Sequence, residues 1–278
     1  MLLRFPVRRP GGSGGGETVS DPFLGGVALI LGALVGSFLN VVIVRLPKEG
    51  GSLVFPASHC PACRAPVRWY DNIPVLSFLL LGRRCRDCGA VISWRYPLVE
   101  LAMALLSLVL FGKFGLTPAF GIYFLFTAAL LAIIFIDAEH QIIPDAISLP
   151  GIALGLLFSF VNPLVSWQAS LIGLLAGGGS FYLLALLYYL LTRREGMGGG
   201  DIKLLAMIGA FQGWQALPFV VFLSAFLGSV VGIGAMIRQG KGGRTVIPYG
   251  PFLAVASLLY LFFEAELLYL FFRFVLRS

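Results

Sequence analysis

The sequence predicts an all-α polytopic membrane protein of about eight transmembrane helices, with a small cytoplasmic zinc-ribbon-like domain between the first and second. Three observations carry this expectation. The 278-residue chain is 58% hydrophobic and only 12% charged, with mean hydropathy +0.93, a composition too apolar for a water-soluble globule. Apolar stretches recur at the length a bilayer requires, about 20 residues. All four cysteines fall in one polar stretch, as two CxxC pairs.

Residues 1–22 are polar and glycine-rich, with Arg4, Arg8 and Arg9, and are expected to be a disordered tail. The apolar run that follows is too long for the core of a signal peptide. It also lacks an Ala-x-Ala cleavage pattern, so 23–46 reads as a retained first span. Spans are predicted near 23–44, 97–112, 118–137, 146–162, 168–192, 202–213, 215–237 and 251–265. The sixth is short and bounded by glycines. The apolar tail after Glu264 and Glu266 is expected either to lie along the interface or to extend the last helix. Glycines spaced four apart, as in Gly32/Gly36, Gly151/Gly155, Gly173/Gly177 and Gly228/Gly232, suit close helix packing in lipid. No repeat of 20–50 residues is visible.

Charge sets the expected orientation. The 47–96 loop carries Lys48, Arg64, Arg68, Arg83, Arg84, Arg86 and Arg95, and positively charged loops stay cytoplasmic. With that loop inside, Arg45, Arg193, Arg194, Lys203, Arg238, Lys241 and Arg244 also fall inside and the N-terminus outside. The net charge of +7 is then a topological bias toward the lipid bilayer's cytoplasmic face, and no nucleic-acid partner is expected.

Cys60, Cys63, Cys85 and Cys88 follow the spacing CxxC, 21 residues, CxxC, which suits a tetrahedral zinc site. A reducing cytoplasmic face disfavours two disulfides. Four protein ligands leave no open position, so the Zn2+ is expected to be structural, clamping a loop too poor in apolar residues to fold alone. His59 adjoins Cys60 and is expected at the surface.

Thirteen acidic residues are few enough to sort. Asp145 follows Pro144 before an apolar helix and reads as an N-cap. Glu100 suits either a helix N-terminus or the lining of the active cavity. Glu139 and His140 fall in a polar turn. Asp137 closes an apolar run, and Asp201 follows the glycine stretch Gly198, Gly199, Gly200 at the edge of another. Ionisable residues at such places are costly and point to function. Two carboxylates suffice for peptide hydrolysis without a nucleophilic side chain: one takes a proton from water, the other polarises the scissile carbonyl and protonates the leaving amine. With His59 and His140 the only histidines, no Ser/His or Cys/His set competes.

Gly198-x-Gly200-Asp201 fits the GxGD motif, and with Ile202, Lys203 and the run Phe135 to Asp145 it resembles the two aspartate motifs of prepilin peptidases. The stretch Gly36 to Pro47, the paired CxxC motifs, Asp71 to Pro74, Arg95 to Glu100 and Ile247 to Phe252 resemble other parts of that family. The resemblance implies a bacterial cytoplasmic-membrane enzyme that removes the basic leader from type IV prepilins and type II secretion pseudopilins. It implies Asp137 and Asp201 as the catalytic pair, with Gly198, Gly200 and Lys203 supporting that loop. It further implies N-methylation of the new N-terminus with S-adenosylmethionine, carried by 47–96, while 97–278 forms the peptidase; no S-adenosylmethionine-binding motif is recognisable. Two other readings stay open. One is a GxGD protease of the presenilin or signal-peptide-peptidase kind, whose Pro-Ala-Leu motif is absent. The other is a non-enzymatic zinc-ribbon assembly factor, which would not need paired aspartates.

Overall fold

A computed structural model describes residues 21–48, 52, 53, 55, 57–194, 196–239 and 248–275. The expectation of a disordered tail at 1–22 is corrected at its end, where Asp21 caps α1 and Pro22 begins it; its residues 1–20, and the placing of Lys241 and Arg244, lie outside the described residues. The chain runs through helices α1 (Pro22–Arg45), α2 (Leu76–Leu80), α3 (Arg95–Phe114), α4 (Pro118–His140), α5 (Asp145–Phe158), α6 (Trp167–Thr192), α7 (Gly199–Gln212), α8 (Leu217–Gln239) and α9 (Gly250–Val275). Every apolar segment expected to be helical is so. Local signals set the starts: Asp21 accepts from the Phe23 N–H ahead of Pro22, and Ser166 accepts from the Ala169 N–H.

Among the described residues, six segments are long and apolar enough to cross a bilayer: α1, α3, α4, α6, Trp214–Ile237 and Gly250–Leu267. Helices α5 and α7 have 14 residues each. At 1.5 Å per residue each is about 21 Å long, short of the roughly 30 Å hydrocarbon layer. Helix α9 continues past Glu264 and Glu266 to Val275, with a non-helical break at Phe263.

Glycine decides how the helices meet. A Cβ on Gly32 would lie 2.6 Å from the Met103 carbonyl oxygen, and one on Gly36 would lie 2.7 Å from the Glu100 Cα, so α1 lies directly on α3. Helices α5 and α6 clasp α7 in the same way. Gly155 faces Ala210 and Phe211, Gly173 meets Gly209 backbone to backbone, and Gly177 abuts the Leu205 carbonyl. Every residue of α7 from Leu204 to Gln212 is buried. Helix α4 is the other central rod, with Phe126, Leu130 and Ile133 fully enclosed. Helices α6 and α8 turn Leu183, Leu187, Leu191, Phe222 and Ile237 outward, the surface a lipid-facing helix presents.

Buried polar groups are used as interhelical ties. Ser107 Oγ donates to the Ala28 carbonyl at 2.6 Å, and Ser170 Oγ donates to the Ala210 carbonyl at 2.6 Å. Gln212 and Ser257 exchange two hydrogen bonds of 2.9 Å between α7 and α9. Contacts also sort the helix ends. Arg95 meets Glu139, Asn40 meets the Tyr96 carbonyl, and Lys203 meets Asp145, gathering the end of α1, the start of α3, the end of α4 and the starts of α5 and α7. Lys113, at the far end of α3, donates to the Leu261 and Phe262 carbonyls late in α9. The cysteine-bearing loop and both aspartates therefore share one end of the bundle.

Candidate active site and cysteine cluster

Asp137 stands in the last turn of α4. The helix stops because Gln141 turns left-handed at φ 57°, its N–H closing on the Asp137 carbonyl at 2.9 Å. The side chain is 5% exposed and its carboxylate accepts from the Gly250 N–H at the start of α9. A Cβ on Gly250 would lie 2.6 Å from Asp137 Oδ2 and 2.9 Å from Ile143 Cδ1, so only glycine admits this approach.

Asp201 comes from the opposite direction, as the third residue of α7. Gly198 is its N-cap with φ −69°, so the glycine stretch does not use the left-handed conformation that glycine permits. It uses the missing side chain instead: a Cβ on Gly200 would lie 2.9 Å from Ile143 Cβ. Ile143 thus touches both the Gly200 turn and Gly250, and α4, α7 and α9 meet around it. The Asp201 and Asp137 carboxylates interact electrostatically, and Asp201 also interacts with the Tyr249 hydroxyl. That hydroxyl is 2.7 Å from Ser224 Oγ of α8. Tyr249 and Gly250 were legible in the sequence as part of a resembling segment, but nothing in their spacing assigned them to the aspartates.

Lys203 points elsewhere. Its Nζ is 2.6 Å from Asp145 Oδ1, an ion pair whose side chains are 37% and 56% exposed. This corrects the N-cap expectation for Asp145: Pro144 occupies the cap, and Asp145 is the first helical residue, tying α5 to α7. Glu100 lies beyond the first turn of α3, buried in a cavity that neither aspartate lines.

The four cysteine Sγ atoms lie within 4.8 Å of one another, with Cys60 and Cys88 Sγ 3.8 Å apart. A tetrahedron of thiolates about 2.3 Å from zinc has sulfurs about 3.8 Å apart, so the donor set fits. Both pairs are held by the same turn. Cys60 N–H bonds to the Ala65 carbonyl and Arg64 N–H to that of Cys60; Cys85 N–H bonds to Ala90 and Gly89 N–H to Cys85. Arg64 and Gly89 both take positive φ, and each turn ends in an antiparallel bridge, His59 to Pro66 and Arg84 to Val91. One knuckle thus occurs twice, its sequence likeness limited to the cysteines and one alanine. N–H groups of Cys63 and Ala62 aimed at Cys60 pull its thiol down to about 6, favouring the thiolate that binds metal. His59 is exposed, Nδ1 on the Ala57 carbonyl, outside the cluster. Across the loop, Arg86 forms a two-pronged pair with Asp71 and holds its carboxyl below the usual carboxylate range.

Residues 30–114 match the family described as Bacterial Peptidase A24 N-terminal domain, and residues 124–233 match the Type IV leader peptidase family. The chain is 41% identical over 251 residues to a prepilin leader peptidase/N-methyltransferase of Pseudomonas aeruginosa, covering 82% of this chain and 87% of that one. The chain belongs to the type IV leader peptidase family. Similar relatives of the same description occur in Dichelobacter nodosus, 39% identical over 84% of this chain and 90% of its own, and in Neisseria gonorrhoeae, 38% identical over 86% and 91%. No solved structure matches the chain. In this leader peptidase family member the two matched regions meet physically where Arg95 grips both Glu139 oxygens, at 2.9 and 2.7 Å, two residues beyond Asp137. Sequence spacing gave no hint of that pair.

Proposed function

We propose that the chain is a bacterial inner-membrane aspartic endopeptidase that removes the basic leader from type IV prepilins and type II secretion pseudopilins and then N-methylates the new N-terminus. The observation that carries the peptidase reading is the convergence of Asp137 and Asp201, from helices far apart in sequence, around Ile143 and Gly250. Family membership and the relatives' names support the substrate and the second activity.

In this reading one carboxylate, ionised, takes a proton from water as the oxygen attacks the scissile carbonyl. The other, protonated, donates a hydrogen bond to the carbonyl oxygen and then a proton to the leaving amine. Two adjoining carboxyls favour such a shared proton, because like charges resist ionising together. The Gly250 N–H fixes Asp137, and the Gly200 turn seats Asp201. Gly198, Gly200 and Lys203 act as support, Lys203 by tying α7 to α5. The aspartates lie at the cytoplasmic face with the N-terminus outside, where a basic leader stays for the same reason as the basic loop. Eight helices span or enter the membrane; 47–96 is a cytoplasmic methyltransferase part and 97–278 the peptidase domain.

Cys60, Cys63, Cys85 and Cys88 hold a structural Zn2+ that fixes the 47–96 fold and leaves no coordination site for chemistry. S-adenosylmethionine, when bound, supplies an electrophilic methyl group to an α-amine whose ordinary pKa is about 8. The test is purified protein with a synthetic prepilin. Asp137→Asn and Asp201→Asn each lose several orders of magnitude in cleavage rate, and either variant cleaving normally refutes the dyad.

A further inference from the structure

The outward stripe of α3 does not stop where the helix starts. Leu98, Leu101 and Leu105 are exposed at the spacing of one helical face, on a segment apolar enough to cross a bilayer. Trp94, four residues before Leu98, carries the same face past the beginning of α3 and is 61% exposed. An indole at that level suits the boundary between lipid headgroups and acyl chains.

The short helix α2 packs on this end of the stripe. Its Phe78 ring lies 5.0 Å from the Trp94 ring, and the Val75 N–H at its start bonds Glu100 Oε2 at 2.7 Å. Glu100 is five residues into α3, about 7.5 Å along the axis, so α2 is level with the first turns of a bilayer-length helix. One side of α2 is used inside the protein: Ser77 and Phe78 are buried, and Ser77 Oγ donates to the Tyr70 carbonyl at 2.9 Å. The other side holds Leu76, Leu79 and Leu80, spaced to share one face and 49%, 65% and 76% exposed.

Beyond α2 the chain turns back and becomes basic. Gly82 and Arg83 take positive φ, 55° and 65°, and their N–H groups bond the Leu79 and Phe78 carbonyls at 3.1 Å. That turn sets the Arg83 guanidinium over the Trp94 ring, 5.4 Å from its centroid. Asp71 and Asp87 lie against Arg86 and Arg68, and Arg83 and Arg84 form no ion pair among the described residues. Three outward leucines, continuous with the lipid-facing stripe and followed by two unneutralised cations, complement the acyl boundary and anionic headgroups of a leaflet.

We propose that α2 is an interfacial anchor: Leu76, Leu79 and Leu80 enter the acyl boundary of the leaflet on the cysteine-loop side, and Arg83 and Arg84 bind the phosphates of anionic phospholipids. The inference uses the membrane class of the chain and neither enzymatic activity. It gives the cysteine-bearing loop a hold on the bilayer between its covalent attachments to α1 and α3.

The experiment places photoreactive benzoylphenylalanine singly at Leu79 and Leu80 of the zinc-loaded full chain. Leu101 is the bilayer reference, and Ala62, exposed in the first cysteine turn, is the aqueous one. Each protein is reconstituted in phosphatidylcholine nanodiscs with or without phosphatidylglycerol and irradiated, and its adducts are identified by mass spectrometry. Lipid adducts at positions 79 and 80 comparable with those at 101, and absent at 62, are expected at unchanged zinc content. Phosphatidylglycerol should raise the yield at 79 and 80 about threefold or more. Changing Arg83→Gln and Arg84→Gln together should remove that gain and spare the yield at 101. Lipid adducts at 101 alone would put the leucines in water and overturn the inference. Adducts at 79 and 80 to a second copy of the chain, or to an added prepilin in place of lipid, would make this a protein-docking face and overturn it as well. Lipid adducts indifferent to phosphatidylglycerol would overturn the headgroup role of Arg83 and Arg84.

Discussion

At Gly250 a single missing side chain sets the geometry of the candidate dyad. Alanine there would bring a carbon 2.6 Å from Asp137 Oδ2 and 2.9 Å from Ile143 Cδ1, so the Asp137 carboxylate has to shift to admit it. Overpacking of this kind costs about 1–3 kcal/mol, but the displacement falls on a reacting group, where about 1 Å can cost 100-fold in rate. Gly250→Ala is therefore expected to cut prepilin cleavage about 100-fold while the melting temperature changes modestly; a normal rate would mean that α9 does not position Asp137. The Lys203–Asp145 pair is a contrast. Both side chains are partly in solvent, and exposed pairs contribute about 0–1 kcal/mol. Asp145→Asn should alter cleavage by no more than a few-fold. Should it abolish cleavage while Asp137→Asn spares it, the dyad is wrongly chosen.

The cysteine loop is the element least able to hold itself together. Its two knuckles share one hydrogen-bonding pattern, and its other ties are largely exposed: Arg86 on Asp71, and Arg83 and Arg86 over the Trp94 and Tyr70 rings. Changing any one of Cys60, Cys63, Cys85 or Cys88 to serine removes one ligand from a four-ligand site. Each variant is expected to lose its zinc by elemental analysis and to become protease-sensitive within 52–93. A serine variant that keeps one zinc per chain and resists protease would show that the metal does not order the loop. The Asp71–Arg86 pair adds a pH dependence of known sign. A carboxyl held below its unfolded value, near 3.9 for aspartate, contributes fully above that pH and loses its contribution as pH falls through the lowered value. Protease protection of the loop should therefore drop in acid below about pH 4, and Asp71→Asn should remove the part of that drop that this pair contributes.

On the scale of the whole molecule, the two matched regions form neighbouring bodies that share one end of the bundle. Helix α1 packs on α3, α5 and α6 enclose α7, and α4 lies between these groups, with Arg95 and Glu139 joining them near Asp137. This arrangement predicts that the activities separate. Asp201→Asn should fail to cleave prepilin yet still methylate a precleaved pilin peptide. The serine variants at the four cysteines should lose methylation more than cleavage, since no cysteine belongs to the dyad. Mass spectrometry of both products from one substrate panel decides this. A folded Asp201→Asn protein unable to methylate precleaved peptide would mean that the two activities share a site.

The membrane class, the helical segments, the zinc-type cysteine spacing and the two distinctive aspartates were all legible in the sequence, because each rests on local pattern. Apolar run length reports a bilayer-scale helix, CxxC fixes a turn, and a carboxylate at the edge of an apolar run is conspicuous by its cost. Small-residue stripes likewise marked the α1–α3 and α6–α7 contacts. The short, glycine-bounded run that became α7 was legible, but local pattern could not tell that α5 stops after 14 residues, nor that α7 is the helix its neighbours enclose, since composition sees apolarity and not which helices cover it. Nor could it give Asp145 to Lys203, Glu139 to Arg95, or Glu100 to a cavity, because partners 58, 44 and 25 residues apart meet only after helices pack. The Gly250 N–H reaches Asp137 for the same reason: two helix ends have to arrive at one place, and only the packing of glycine-lined helices between them decides where that is.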